Sequence, residues 1–362
     1  MSIKRFAILA LACAAIAGCA KERELSEREI QEKILDAYIQ ANCPTAQKLS
    51  SGLTILSLEP GAGPIAPGNN DGIYIHYNTY NLDGTCQSTT DSIKARMLGT
   101  YDAAIYYGPS LFILNTTITQ GMKELLGKLH QGGTATAIIP PWLTAAGASS
   151  SSYTNSGHQS NTNMIYEIKA GIVIDDVDKF QIDSLESYSK LNFTPKIDST
   201  SMGWYFRNFT HTSGIPASDT VEAGTKVGVW YVGRLLDGYV FDTNIRDTAK
   251  KYRIYDATND YEPLSVEMGK TYQDMTTYGS SATSNDASTG SEGSSSLILG
   301  FVRGVKNMTY ADKGVTFFMS GLGYGSEGNM KSGKGVPEYA MLRFDLWVAK
   351  ATDTKFPPTQ TK

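Results

Sequence analysis

Hydrophobic and polar positions are best organised between residues 227 and 348. VGVWYVGRLLDGYVFDTN at 227–244 reads as a strand running to Tyr231, a turn at Asp237-Gly238 and a second strand into Phe241. SLILGFVRGVKNM at 296–308 predicts a short helix from about Gly300 to Met308. After the glycine-rich turn SGLGYG at 320–325, VPEYAMLRFDLWV at 336–348 ends in a strand through Phe344. The order predicts an α+β unit, an antiparallel sheet wrapped on one short helix.

The same order occurs once before. GIYIHYNTYNLDGTCQS at 72–88 parallels the hairpin, ITQGMKELLGKLHQGGTATAIIPPW at 118–142 parallels the helix and following strand, and NMIYEIKAGIV at 163–173 parallels the closing strand. Each copy begins with a strand and a Gly/Pro/Asn turn region and has the size of an ordinary domain. In LSEREIQEKILDAYIQAN at 25–42, Leu25, Ile30, Ile34, Ala37, Tyr38 and Ala41 share a helical stripe, and Ser26 with Glu29 fits a capping box. The predicted organisation is a leader at 1–18, a stalk and N-terminal helix at 19–50, a first domain at 51–180 and a linker at 181–200. A second domain at 201–352 and a tail at 353–362 complete it. DSLESYSKL within the linker predicts a short connecting helix.

The second copy resembles the FKBP-type peptidyl-prolyl cis-trans isomerases. Tyr231 in W-Y-V-G, Phe241-Asp242 after the D-G turn, Tyr324-Gly325 in the loop and Phe344-Asp345 in the last strand follow that family's order and spacing. The resemblance implies two FKBP-like domains. It places Tyr231, Phe241, Asp242, Phe301, Tyr324 and Phe344 in a catalytic pocket, with Leu264, Leu297, Ile298 and Val336 binding substrate. Phe301 stands where many members have a Trp floor, and Leu264 where the family has an aromatic residue. In the first copy Tyr77 matches the pocket Tyr, whereas Cys86-Gln87 stand for Phe-Asp, Met122 for the floor and Ala146-Gly147 for Tyr-Gly, which implies a degenerate domain. The implied activity is rotation about X-Pro bonds; the alternative is a binding or assembly protein that keeps the scaffold without turnover.

Rotation requires no nucleophile, metal or cofactor. The amide barrier of about 18–20 kcal/mol comes from C–N conjugation, and an apolar pocket favours the twisted state, which separates less charge than the planar one. On this scheme Phe301 is the floor, Tyr231, Phe241 and Phe344 are walls, Tyr324 donates a hydrogen bond to a substrate carbonyl, and Asp242 orients Tyr231. His76, His130, His158 and His211 lack metal-ligand spacing, and the glycines at 326–335 lack the Walker pattern.

The N-terminus adds a compartment. Lys4 and Arg5 precede an apolar run, Phe6 to Ile16, too short for a permanent span and ending in Ile16-Ala17-Gly18-Cys19, which resembles a bacterial lipoprotein signal cleaved before Cys19. The expectation is an outer-membrane lipoprotein anchored through lipidated Cys19, on the periplasmic or surface side, acting on proline-containing exported polypeptides. The chain has 32 basic and 36 acidic side chains, and Lys4 and Arg5 leave with the leader. The acidic balance argues against a nucleic-acid partner. An oxidising compartment permits Cys43 and Cys86 to pair, although spacing does not show that they meet; oligomeric state is left open. The Ser/Thr/Gly-rich insertion from Gly269 to Ser296 and the polar loop at 147–163 show no strand or helix period, leaving disorder and a flap beside the pocket helix as alternatives.

Overall fold

The computed structural model describes residues 24–64, 71–114, 118–144, 162–193, 197, 199–210, 221–269, 276–277, 297–329 and 335–356. Cys19 and the leader, Ala146-Gly147, His158, His211 and nearly all of the 269–296 insertion lie outside them.

In chain order the elements are α1 (Glu27–Asn42), β1 (Gln47–Lys48), β2 (Thr54–Glu59), β3 (Gly72–Asn81), β4 (Cys86–Thr89), α2 (Ser92–Met97), β5 (Ser110–Ile113), α3 (Gln120–Leu126), β6 (Thr134–Ile139) and β7 (Met164–Ile174). They continue as α4 (Val177–Asn192), β8 (Ser199–Ser201), β9 (Trp204–Asn208), β10 (Lys226–Leu235), β11 (Val240–Thr243), α5 (Arg246–Tyr252), β12 (Leu264–Glu267), β13 (Thr276–Thr277), α6 (Leu299–Lys306), β14 (Lys313–Phe318) and β15 (Leu342–Lys350). The chain divides into an N-terminal unit ending at Pro44 and a body from Thr45 onward.

In the N-terminal unit, Ser26 and Glu29 close a reciprocal capping box on α1. The sheltered face differs from the predicted stripe: Leu25, Ile30 and Ile34 are exposed, whereas Leu35 is buried and Tyr38 and Ile39 are half-buried. The helix carries apolar residues on two faces, and periodicity alone does not rank them. Among the described residues no helix is long and apolar enough to cross a membrane.

The body contains two sheet-plus-helix modules of the same topology. In the first, antiparallel strands run β2-β6-β7-β3, with β4 and β5 both on the far side of β3; in the second they run β9-β14-β15-β10, with β11 and β12 on the far side of β10. Both hairpins carry a register shift at the same place, between Thr79 and Tyr80 and between Gly233 and Arg234. Alternation turns Ile73 and Ile75 in β3, and Val227 and Val229 in β10, into their respective cores. The α3 helix closes the first core with Met122, Leu125 and Leu126, and α6 the second with Phe301, Val302 and Val305. Each helix meets its sheet through a glycine: a β-carbon on Gly121 would lie 2.5 Å from Ile139, and one on Gly300 2.3 Å from the Phe318 ring.

The register corrects the pairing of the two hairpins. Ser88 opposes Thr79 as Asp242 opposes Gly233, so Gln87-Ser88 stand at the positions of Phe241-Asp242, rather than Cys86-Gln87. One residue of slip exchanges the faces of a strand. Cys43 and Cys86 are free thiols.

The 181–200 segment is no plain connector. Asp176 caps α4 by accepting from Lys179 N at 2.9 Å, and the helix runs for 16 residues, longer than DSLESYSKL. Its first turn puts Val177 and Phe180 against Tyr74, Leu111, Ile113 and Ile174 of the first sheet, and its middle puts Leu185 on Val315 and Phe317 of the second. Gln181 is fully buried: its Oε1 accepts from Ser320 N at 2.8 Å, and its Nε2 donates to Ser320 Oγ at 3.0 Å and Tyr339 O at 3.3 Å. Gln181→Ala should therefore destabilise the body by about 1–3 kcal/mol, because it strands buried polar partners; urea unfolding checks this, and a change of a few tenths would contradict it.

Candidate functional site

The site is assembled on the face of the second sheet that packs against α6. Tyr231 and Gly233 lie in β10, Phe241 and Asp242 in β11, Phe301 in α6, and Phe344 in β15, which pairs with β10 so that Gly233 faces Phe344. Four rings converge there. Phe344 lies 5.2 Å from Phe301, 5.7 Å from Phe241 and 6.0 Å from Tyr231, centroid to centroid, and Phe301 meets Tyr231 edge-to-face at 5.8 Å. Such tilted geometry sets ring edges against ring faces, each contact contributing about 0.5–1.5 kcal/mol beyond area burial. Tyr324 approaches Phe241 at 6.5 Å, nearly perpendicular.

Phe241, Phe301, Phe344 and Val336 are buried, whereas Tyr231, Asp242, Leu264, Leu297, Ile298 and Tyr324 are half-buried. All ten residues expected at the site come together: nine belong to or pack on one hydrophobic cluster, and Asp242 joins through Tyr231. Leu264 enters from β12, opposite Val229. Gly233 makes the approach possible, since a β-carbon there would sit 2.7 Å from the Phe241 ring and 3.0 Å from that of Phe344. Its counterpart in the first sheet is Thr79, where no Phe occupies the bulge and the extra atoms fit.

The polar part of the site is the Tyr231 hydroxyl, which donates to Asp242 Oδ2 at 2.9 Å. Burial first, and then the Asp242 carboxylate, raise the Tyr231 pKa well above the ordinary phenol value. The phenol thus stays protonated and oriented. Asn244, just past the end of β11, is tied to the middle of β10, accepting from Tyr231 N at 2.8 Å and donating to Val229 O at 2.9 Å. The arrangement offers an apolar, ring-walled site in which the Tyr231 hydroxyl is fixed. Among the described residues no three His, Cys, Asp or Glu side chains gather as a metal site.

Phe318, Tyr239 and Tyr106 of this cluster were not among the residues the sequence pointed to. Phe318 stacks on Phe344 at 6.0 Å, Tyr239 lines the cluster from the hairpin turn, and Tyr106 reaches it from the first module. Phe318 ends β14, which is buried on both faces, and Tyr239 follows the Asp-Gly turn; nothing local singles out Tyr106.

The first module has a reduced counterpart. Tyr77 meets Phe112 edge-to-face at 6.1 Å, Met122 takes the place of Phe301, and Tyr166 that of Phe344. Its Tyr77 phenol is pushed up to about 12 by burial, with Ser88 hydrogen bonding opposing the shift and Glu338 adding to it.

No family model matches the chain, and no curated protein matches it. Among solved structures it is similar to the three FKBP domains of wheat FKBP73, at 13% identity and a TM-score of 0.27, over 84% of this chain and 98% of that one. It is similar to FkpA from Escherichia coli at 17% identity and 0.28, over 48% and 84%. With a peptidyl-prolyl cis-trans isomerase from Pseudomonas syringae pv. tomato it shares 18% identity at 0.29, over 48% and 96%. Likeness at these values carries no functional argument, and the case for the site rests on its own geometry.

Proposed function

We propose that the second module is a peptidyl-prolyl cis/trans isomerase of FKBP type, carried on an exported lipoprotein anchored through Cys19, and that it acts on proline-containing exported chains. The observation that supports this best is the convergence of Tyr231, Phe241, Phe301 and Phe344 from four separate elements onto one site, with Tyr324 at its edge. A proline ring is compact and apolar, and edge-to-face aromatic walls suit it. The imide then rotates in a medium of low polarity, where the planar form, with more charge separation, loses more solvation than the twisted one. The Tyr231–Asp242 pair holds its proton throughout and acts by orientation; Tyr324 donates to a substrate carbonyl. No bond to the substrate forms or breaks.

A second reading is a non-catalytic binding or assembly protein on the same scaffold. Met122, Gln87 and Ser88 in the first module favour that role for the first half of the body, where the aromatic walls are thinned.

Protease-coupled or NMR-exchange turnover of an X-Pro peptide series decides between them, using the mature chain freed of its lipid. Uncatalysed exchange takes about 10–100 s at 25 °C, slow enough for the enzymatic contribution to be read directly. Phe241→Ala and Tyr324→Ala are expected to lower kcat/KM at least roughly tenfold, the loss of about 1.4 kcal/mol of transition-state stabilisation. Tyr324→Phe, which keeps the ring, separates the hydroxyl from packing. No turnover across the series by the well-folded parent would leave the binding role.

A further inference from the structure

We propose that Tyr106, carried by the first module, is a positioning residue for the pocket of the second, so that the site is completed across both halves of the body; this rests on the proline-pocket reading. Tyr106 sits in the connection between α2 and β5, more than a hundred residues before any other part of the site. Its ring packs on the hydrophobic cluster that contains Phe241, Phe301 and Phe344, and lies 5.3 Å from the ring of Tyr239. Its hydroxyl donates to Asp237 Oδ2 at 3.0 Å.

Asp237 is the organising residue of the β10–β11 turn. Its other oxygen, Oδ1, accepts from Tyr239 N at 2.9 Å, and Leu235 N closes the hairpin on Tyr239 O at 2.9 Å. Two residues after Tyr239 comes Phe241, and then Asp242. Tyr106 therefore holds, through one hydrogen bond and one ring contact, the turn that aims the pocket wall. The Tyr239 hydroxyl is buried and makes no hydrogen bond among the described residues, so Tyr239 does not anchor the turn through its own phenol.

The first module also touches the segment leading into Val336. A β-carbon at Gly335 would lie 2.4 Å from Ala104 O, 2.5 Å from Tyr239 Oη and 3.3 Å from Tyr106 N, and Gly335 takes φ +60°, where a side chain is strained in any case. Just beyond, Tyr339 is a non-glycine residue at φ +56°; its ring lies in the first module's cluster with Tyr74 and Phe180, and its carbonyl accepts from Gln181. Such backbone persists where the surroundings over-determine it. The first module thus grips both the hairpin turn and the backbone around Val336, two parts of the pocket that are not regular sheet or helix.

The test compares the full mature chain with Tyr106→Ala and Tyr106→Phe, reading X-Pro peptide affinity by NMR titration, KM and kcat, melting temperature, and amide exchange of Leu235 and Tyr239. Tyr106→Ala is expected to weaken peptide affinity and raise KM by about fivefold while kcat holds within about twofold, with Phe restoring most of the loss through its ring. The two hairpin amides should exchange roughly tenfold faster in the Ala variant, with the melting temperature nearly unchanged. Unchanged affinity and exchange in Tyr106→Ala would overturn the proposal, as would equal loss in both variants together with a fall in melting temperature, which marks plain packing. A parent that binds no X-Pro peptide would sink the proline-pocket reading instead; hairpin exchange would then decide the positioning role alone, faster exchange in Tyr106→Ala upholding it and unchanged exchange overturning it.

Discussion

Replacing Phe344 by Ala should cost about 3–5 kcal/mol of unfolding free energy, the largest single effect expected in the second module. The ring is 4% exposed and touches Tyr231, Phe241, Phe301 and Phe318, so truncation leaves a void bounded on several sides by rigid aromatics. Neighbouring rings cannot collapse into that void easily, because Gly233 behind Phe241 and Gly300 behind Phe318 already fix how closely each approaches the backbone. Turnover should vanish with the wall. Urea unfolding followed by tryptophan fluorescence is the measurement, and a cost below about 1 kcal/mol would mean that the site relaxes freely and that the rings are not held as a rigid wall. Phe344→Leu, which retains more volume, should cost clearly less.

Glu338→Gln should abolish a pH dependence that the parent shows between about pH 4.5 and pH 7. Glu338 is half-buried in the segment after Val336, and its pKa is raised from 4.5 to about 7, chiefly by burial and then by the nearby Glu327 carboxylate. The other titratable groups that feel it are Tyr77 of β3 and its neighbour Tyr339, both neutral in this range. A carboxyl whose folded pKa is raised favours the fold fully below its unfolded pKa. As pH climbs from 4.5 toward 7 the unfolded chain gives up its proton first, and stability falls; above 7 the loss is complete. At one pKa unit per 1.36 kcal/mol, discounted for partial solvent access, the change is on the order of 2 kcal/mol. Urea unfolding at pH 5 and pH 8 should show the Gln variant more stable than the parent at pH 8 and close to it at pH 5. Parallel curves for the two proteins would contradict the assignment.

Much of each module is written in short stretches of chain. The Asp237-Gly238 and Asp83-Gly84 turns announce hairpins; Gly84 and Gly238 sit at φ +85° and +95°, where glycine meets no steric penalty. Alternation in β15 marks which side chains face inward, and Gly300, Phe301, Val302 and Val305 mark the buried side of α6. Because those signals are local, the residues they mark meet once the sheet closes, and the ring cluster follows from strand order with little freedom left.

Other features depend on atoms far apart in the chain. The bulge opposite Gly233 and Thr79 decides that Gln87-Ser88, not Cys86-Gln87, answer Phe241-Asp242, and a bulge has no residue signature in this hairpin. The sheltered side of α1 is Leu35, Tyr38 and Ile39, although Ile30 and Ile34 repeat equally well. In α4, Gln181 looks like a polar surface position until Ser320 and Tyr339 are brought to it. Tyr106 and Asp237 lie 131 residues apart, and their hydrogen bond exists because α4 holds one sheet against the other. Turn chemistry and hydrophobic period act over a few residues and are legible one segment at a time; bulge register, the choice between two apolar faces and contacts between modules are settled by which surfaces bury the most area together, and only the packed molecule contains that comparison.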